Sequence, residues 1–266
     1  MNKSMISMLI ACCLSASIAA PSISHAFTAV EIMKKYTDLF NVTDETEQVT
    51  MTLVNMQGKK KVRSLTIMTK DFGNDLSKML IRFTAPENIN GAALLISENE
   101  RRSDDQWLYL PALKKVKKIA AGDRSQSFMG SEFAYEDLYP EVASDYNYTL
   151  VRSEACGGYE CYVIEAVPAS PRKIAETGYS KRIVWVREDI FFKIKTEFYD
   201  KKGTLLKTET DEDLTQIAAG KYRMNKIIML NNSTGDSTNL ESKSREIDKG
   251  IPASKFTTTY LEQGSI

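Results

Sequence analysis

The sequence predicts a mainly β protein folded as one antiparallel meander with few helices. Three observations predict it. From Glu47 onward apolar residues recur with a period of two, and turn signals such as Gln57-Gly58-Lys59, Asn90-Gly91 and Lys202-Gly203 follow about every 8–12 residues. Only the stretch from Ile32 to Phe40 has a clear helical period. No internal repeat, low-complexity tract or linker divides the chain, so residues 27–266 are expected to form a single domain.

Residues 1–26 are read as a cleaved export signal, so the mature protein, from Phe27, is expected to be exported and soluble. Lys3 supplies the positive start, Met5 to Ala20 the apolar core, and Ser24-His25-Ala26 a small-x-small cleavage site. The apolar core is short for a membrane span, which takes about 20 residues with suitable flanks. Leu9-Ile10-Ala11-Cys12 also fits a lipoprotein cleavage box. That choice would leave a very short apolar region and a second one behind the lipidated cysteine, so cleavage after Ala26 is the expectation.

Cleavage has chemical consequences. Of 266 residues 240 remain (266 − 26), with 34 Lys plus Arg (35 less Lys3) against 35 Asp plus Glu. That balance argues against a general nucleic-acid binder. The one histidine, His25, leaves with the signal, which excludes Ser-His-Asp and Cys-His catalysis and histidine-ligated zinc. Cys12 and Cys13 leave too. The remaining pair, Cys156 and Cys161, flanks a Gly157-Gly158 turn and reads as a local disulfide in an oxidising compartment. So short a loop contributes only about 2 kcal/mol by chain entropy. A redox-active pair fits less well, because the spacing is not C-x-x-C and no helix start follows. Asp211-Glu212-Asp213 lacks the spacing of a calcium loop, and nothing pairs Glu132, Glu136 or Asp137 into a glycosidase dyad. No metal or other cofactor is expected.

The first mature element is a helix. Ile32, Met33, Tyr36, Leu39 and Phe40 share one face, while Thr28 and Glu31 form a capping box at its start. Strands are expected at 48–56, 61–70, 78–84, 92–97 and 107–110, then at 146–154, 159–167, 181–187, 191–199, 204–212, 222–230 and 238–247. Between the two groups Lys114, Lys115, Lys117 and Lys118 alternate faces, as on a solvated edge strand. Residues 253–261 are expected to close the chain as a short helix entered at Pro252.

Several strands are apolar on both faces, among them Met79-Leu80-Ile81-Arg82-Phe83, Ala92-Ala93-Leu94-Leu95-Ile96, Ile183-Val184-Trp185-Val186 and Ile227-Ile228-Met229-Leu230. An antiparallel sheet with one wet face should alternate, so something covers both faces here. A helix layer and a second sheet would do so. With so few helices, a curved sheet could instead hold its own side chains or an apolar ligand inside. The pattern leaves these alternatives open.

Residues 105–139 are the centre of the chain. Trp107-Leu108-Tyr109-Leu110 is apolar on both faces, Pro111 ends it, and a polar loop, Asp123-Arg124-Ser125-Gln126-Ser127, leads into Phe128-Met129-Gly130-Ser131. Phe128, Met129, Phe133 and Tyr135 would be out of place on a loop tip that did not fold over something apolar. This stretch, with Tyr135-Glu136-Asp137-Leu138, resembles the signature of the LolA-like outer-membrane lipoprotein-sorting proteins. The likeness extends to the N-terminal helix, the hairpin at Gly58 and the runs Arg82-Phe83-Thr84-Ala85-Pro86 and Asn90-Gly91-Ala92-Ala93-Leu94-Leu95. The Cys156 and Cys161 pair has no place in that pattern.

The resemblance implies a strongly curved antiparallel sheet, an open half-barrel of the LolA and LolB type with a few helices covering its concave face. It implies a periplasmic, non-enzymatic carrier of lipid or lipoprotein acyl chains that works with an inner-membrane exporter of the RND superfamily. Leu94, Ile96, Leu108, Leu110, Phe128 and Met129 are then expected around an apolar cavity, and Arg124, Phe128, Phe133 and Tyr135 on a surface that docks the exporter. The alternatives are an accessory exporter subunit that carries nothing and, last, a histidine-free hydrolase using carboxylates.

Overall fold

A computed structural model describes residues 27–74, 76–99, 102–138 and 143–263. The export signal and its cleavage site lie outside the described residues.

The chain opens with helix α1, Ala29–Asp38. Its capping box is the one the sequence predicts: the Thr28 hydroxyl accepts the Glu31 amide at 3.3 Å, and the Glu31 carboxylate accepts the Thr28 amide at 2.8 Å. Six strands follow: β1 Asp44–Val54, β2 Lys60–Asp71, β3 Ser77–Ala85, β4 Ala93–Ser97, β5 Asp105–Leu110 and β6 Lys115–Lys118. Residues 119–138 then form a long connection with little regular structure. Seven more strands complete the sheet: β7 Tyr146–Cys156, β8 Tyr159–Pro168, β9 Tyr179–Arg187, β10 Lys193–Asp200, β11 Leu205–Ala218, β12 Lys221–Asn231 and β13 Ser237–Ile247.

All thirteen strands lie in one antiparallel sheet, ordered β6-β5-β4-β3-β2-β1-β13-β12-β11-β10-β9-β8-β7, which does not close into a barrel. Every neighbouring pair but one is a sequence neighbour. The exception is β1 against β13, which joins a first wing (β1–β6) to a second (β7–β13). The sheet must curl strongly. Met79 on β3 and Phe198 on β10 are six strand steps apart, about 29 Å on a flat sheet at ~4.8 Å per strand, yet both line one cavity. Edge strand β6 is short and carries exposed Lys115, Lys117 and Lys118, a device that discourages edge pairing.

Two short helices complete the chain. Helix α2, Pro171–Glu176, has no counterpart in the sequence reading, although Ser170 caps it and Pro171 starts it. The C-terminal helix is a 3-10 turn at Ala253–Lys255 followed by α3, Thr258–Glu262, capped by Thr257.

The expectation that the helices cover the concave face holds for α1 but not for α3. Ile32 and Met33 of α1 pack on Ile164, Val184 and Val186, on the inner face of the second wing. The C-terminal segment lies on the outer face of the first wing, where Ile251, Phe256 and Leu261 cover Met68, Leu80, Ala93, Leu95 and Tyr109. The reason is the double-sided apolar character of β3 and β4: Leu94 and Ile96 face inward, Ala93 and Leu95 outward, and each set needs its own cover.

The disulfide expectation is corrected. Cys156 and Cys161 are free thiols. In the β7–β8 hairpin Cys156 pairs with Tyr159 and Cys161 with Glu154, so the two cysteines sit on one face at diagonal, not opposite, positions. Diagonal neighbours stand about 7–8 Å apart, beyond the span a disulfide bridges without backbone movement. Cys161 is fully buried beside Val163 and Trp185, and burial pushes its thiol pKa up to about 11. It is therefore a poor nucleophile at neutral pH.

Candidate functional site

The inner face of the sheet encloses a cavity of about 280 Å³. Val49, Ile67, Met79 and Ile81 line it from the first wing, and Val184, Phe198, Ile227 and Leu240 from the second. Met33 and Tyr36 of α1, with Phe40 just beyond it, form one side, and Phe133 and Leu138 form another. These last two belong to residues 119–138, which cross the mouth of the curl as a strap.

The strap is fastened to both wings. On the first, the Arg63 guanidinium donates to the Met129 carbonyl at 2.8 Å, and the Gln106 amide to the Tyr135 carbonyl at 3.3 Å. On the second, the Thr238 hydroxyl accepts the Glu132 amide at 3.0 Å, and the Asn231 amide donates to the Glu132 carboxylate at 2.8 Å. The central fastener is Asp137, whose side chain is 1% exposed: it accepts Lys207 Nζ at 2.5 Å, Tyr179 Oη at 2.8 Å and the Ala134 amide at 2.7 Å. Glu136 accepts the Gly178 amide at 2.8 Å and the Thr177 hydroxyl. A Cβ at Gly178 would stand 2.9 Å from Cβ of Ser125, so glycine lets the strap seat against the turn after α2.

One wall of the cavity is charged. Arg223 pairs with Glu45 at 2.9 Å and donates to the Leu39 and Phe40 carbonyls, which holds the end of α1. Arg245 bridges Glu45 at 2.8 Å and Glu47 at 2.5 Å. Burial raises the Glu47 pKa despite the pull of Arg245. These residues sit at core parity on their strands: Glu45 and Glu47 alternate in step with Val49 and Met51. That was the available signal, and the sequence reading missed it.

Beside them Lys193 faces two acids, Glu209 and Asp211, the latter at 3.4 Å. Burial, with repulsion from Glu209, lifts Asp211 to about 7, against the attraction of Lys193. A carboxyl raised in the folded state contributes stability below its ordinary value near 3.8, and that contribution is lost as pH climbs through 7. Asp211→Asn is therefore expected to raise the melting temperature at pH 8, and to raise it clearly less at pH 5, where only the first part of the loss has occurred. Each kcal/mol gained appears as about 2–4 °C in a domain of this size. Thermal unfolding of both proteins at the two pH values checks it, and equal differences at both would show that Asp211 does not titrate in this window.

The structure brings Leu94, Ile96, Leu108 and Phe128 together in one buried cluster, with Leu110 and Met129 packed against it. Val49 and Ile81 of that cluster line the cavity, but these six residues do not: Phe128, 1% exposed, packs against Phe83 at 5.7 Å and fills this end of the interior. Of the residues expected to dock a partner, Phe128, Phe133 and Tyr135 point inward and are buried. Arg124 is held beneath the surface by the Asp104 carbonyl and by Glu176 at 3.4 Å. The strap turns its aromatic side to the interior because the apolar floor is there; its outward side is polar. Among the described residues no helix is long and apolar enough to cross a membrane, and no group of acidic or cysteine side chains is arranged to hold a metal ion.

One unclosed antiparallel sheet, curled about an apolar void and crossed by a strap, defines the half-barrel class to which lipoprotein-sorting proteins belong. Residues 75–263 match a family described as "-like: Uncharacterized protein". The chain is similar to the crystal structure of a putative outer membrane lipoprotein-sorting protein domain from Vibrio parahaemolyticus, at 33% identity over 88% of this chain and 98% of that one, with a TM-score of 0.83. A DUF1329 family protein from Desulfovibrio piger is 26% identical over 88% of this chain and 97% of its own, with a TM-score of 0.82. A LolA superfamily protein from Nitrosomonas europaea shares the fold at 24% identity, 88% and 100% coverage and a TM-score of 0.71. No curated protein matches the chain. The chain belongs to the outer-membrane lipoprotein-sorting protein family.

Proposed function

We propose that this protein is a periplasmic, non-enzymatic carrier that takes lipid, or the acyl chains of lipoproteins, into the cavity under the strap. It then hands them on, working with an inner-membrane RND-type exporter. The observation that carries this reading is the void itself: apolar residues from both wings surround space that no side chain fills. Each methylene moved from water into such a site is worth about 0.8 kcal/mol, so one acyl chain supplies ample affinity. At about 280 Å³ the void is small for a ligand pocket, which typically runs about 300–1,000 Å³. A longer chain would extend into the neighbouring cluster by displacing Phe128 and Met129, with Leu94, Ile96, Leu108 and Leu110 as its floor. Docking of the exporter on the strap, near Arg124, would then draw Phe128, Phe133 and Tyr135 away from that floor and open the route out.

Protein purified from the periplasm without detergent, extracted and analysed by mass spectrometry, is expected to yield acyl-bearing lipid or lipoprotein near one equivalent. Photo-crosslinking from Arg124 in cells is expected to capture an inner-membrane exporter. An empty cavity that also fails to take up a fluorescent fatty acid would end the carrier reading. If the exporter crosslink nevertheless survived, an accessory subunit would replace it.

A further inference from the structure

The outer face of the first wing holds a second concavity, of about 450 Å³, bounded by β1, β2 and β3 and by the C-terminal segment that crosses them. Its floor is a row of directly paired positions: Gln48 opposite Thr66, and Thr66 opposite Arg82. The Thr66 hydroxyl donates to the Gln48 side-chain carbonyl at 2.9 Å, which leaves the Gln48 amide N–H groups as donors. Thr46 and Thr84 add hydroxyls on the same floor, and Lys249 and Lys255 stand on the rim. Among the described residues no acid lines the groove.

Arg82 is the unusual member. It is 6% exposed, and among the described residues no carboxylate pairs with it. Its partners are the Tyr260 carbonyl at 3.0 Å, the Gly91 carbonyl at 3.5 Å and the face of the Tyr260 ring at 5.3 Å. A buried cation is ordinarily balanced by an anion, because carbonyl dipoles do not replace the lost hydration in full. Burial accordingly lowers the Arg82 pKa. Lys249 and Lys255 also have no ion pair among the described residues. Of the acids near the groove, Glu246 stands opposite Thr46 on β13, and Asp44 is engaged by the loop. It accepts the amides of Lys249, Gly250 and Ile251 and faces Lys70 at 3.8 Å.

Three unpaired cations, one of them buried, thus surround hydroxyl and amide donors in a groove without acids. We propose that this groove binds a phosphoryl group, with Arg82 as the central cation and Lys249 and Lys255 closing over it. The group could belong to inorganic phosphate or to the phosphodiester of a lipid headgroup, since the guanidinium fork suits the oxygens of either. The site lies on the opposite face of the sheet from the cavity, so it stands independently of the carrier reading.

The test uses the full mature chain at low ionic strength. Inorganic phosphate and glycerophosphoglycerol are titrated by calorimetry, and vesicles of phosphatidylcholine with or without phosphatidylglycerol are assayed by co-sedimentation. Saturable binding of one of these probes is expected. The Lys249→Ala, Lys255→Ala double variant, which alters only rim side chains, should weaken it about tenfold, the low end of what a hydrogen bond to a charged group is worth. Arg82→Gln should weaken it further if the variant folds. Binding of inorganic phosphate identifies the free anion as sufficient; binding confined to phosphatidylglycerol vesicles identifies the lipid headgroup. If nothing binds saturably, or the double variant binds as the parent does, Arg82 is only a clamp for α3 and the proposal is overturned. Fatty-acid uptake, read in parallel, reports on the cavity alone, so failure of either reading is told from failure of the other.

Discussion

Leu240→Trp is expected to cut uptake of a fluorescent fatty acid at least about tenfold while leaving the fold intact. Leu240 lies on β13 between Met51 of β1 and Ile227 of β12, so it borders the cavity where the two wings meet. An indole there takes the space a ligand needs. Losing room for two methylenes, at about 0.8 kcal/mol each, already amounts to roughly a tenfold loss of affinity. Because the added atoms enter a void of about 280 Å³, the overpacking cost should stay near the lower end of the usual 1–3 kcal/mol. Leu240→Met, of similar volume, is the control and should bind as the parent does. Undiminished uptake by a folded tryptophan variant would place the ligand elsewhere.

Asp137→Ala is expected to be the most damaging single change to the strap, lowering stability by about 3–5 kcal/mol. The alanine would leave the Lys207 ammonium, 7% exposed, without its carboxylate, and Tyr179 Oη and the Ala134 amide without an acceptor. At about 2–4 °C per kcal/mol, the melting temperature should fall by roughly 6–20 °C. Changing the partner at the same time should restore part of the loss, because a buried pair is costly mainly when half of it remains. Asp137→Ala with Lys207→Met is therefore expected to be more stable than Asp137→Ala alone. Equal melting temperatures for the two would show that Lys207 finds water or another acceptor.

The strands were legible because their cues are local. Period-two alternation and glycine turns located twelve strands to within about four residues, except that β11 runs six residues past its expected end, and alternating lysines marked the edge strand β6; the hairpins at Gly58 and Gly203 were among those found. The capping box at Thr28 and Glu31 was legible for the same reason. Long-range placement was not. Double-sided apolar strands announced that both faces of β3 and β4 are covered, but nothing local to residues 253–261 says which face they take. The candidate site suffered in the same way. Leu94, Ile96, Leu108 and Phe128 were read as apolar residues around a cavity, yet whether an inward residue meets a void or another side chain depends on the curl of the sheet. That curl is a sum over many strands. Glu45 and Arg245 on the charged wall are 200 residues apart and have meaning only as partners.

The pairing of β1 with β13 sets the order in which this protein can be made. Glu45 stands opposite Ile247, 202 positions later, whereas every other pairing joins strands adjacent in the sequence. During synthesis the first wing can zip up hairpin by hairpin as it emerges, but the free side of β1 keeps its unmet amides and carbonyls until residues 237–247 arrive. For most of translation the nascent chain therefore exposes an eleven-residue sticky edge. The last strand to be synthesised is the one that retires it. A chain ended before residue 237 is therefore expected to keep the β1 edge unpaired and to aggregate, which solubility of such a fragment would check.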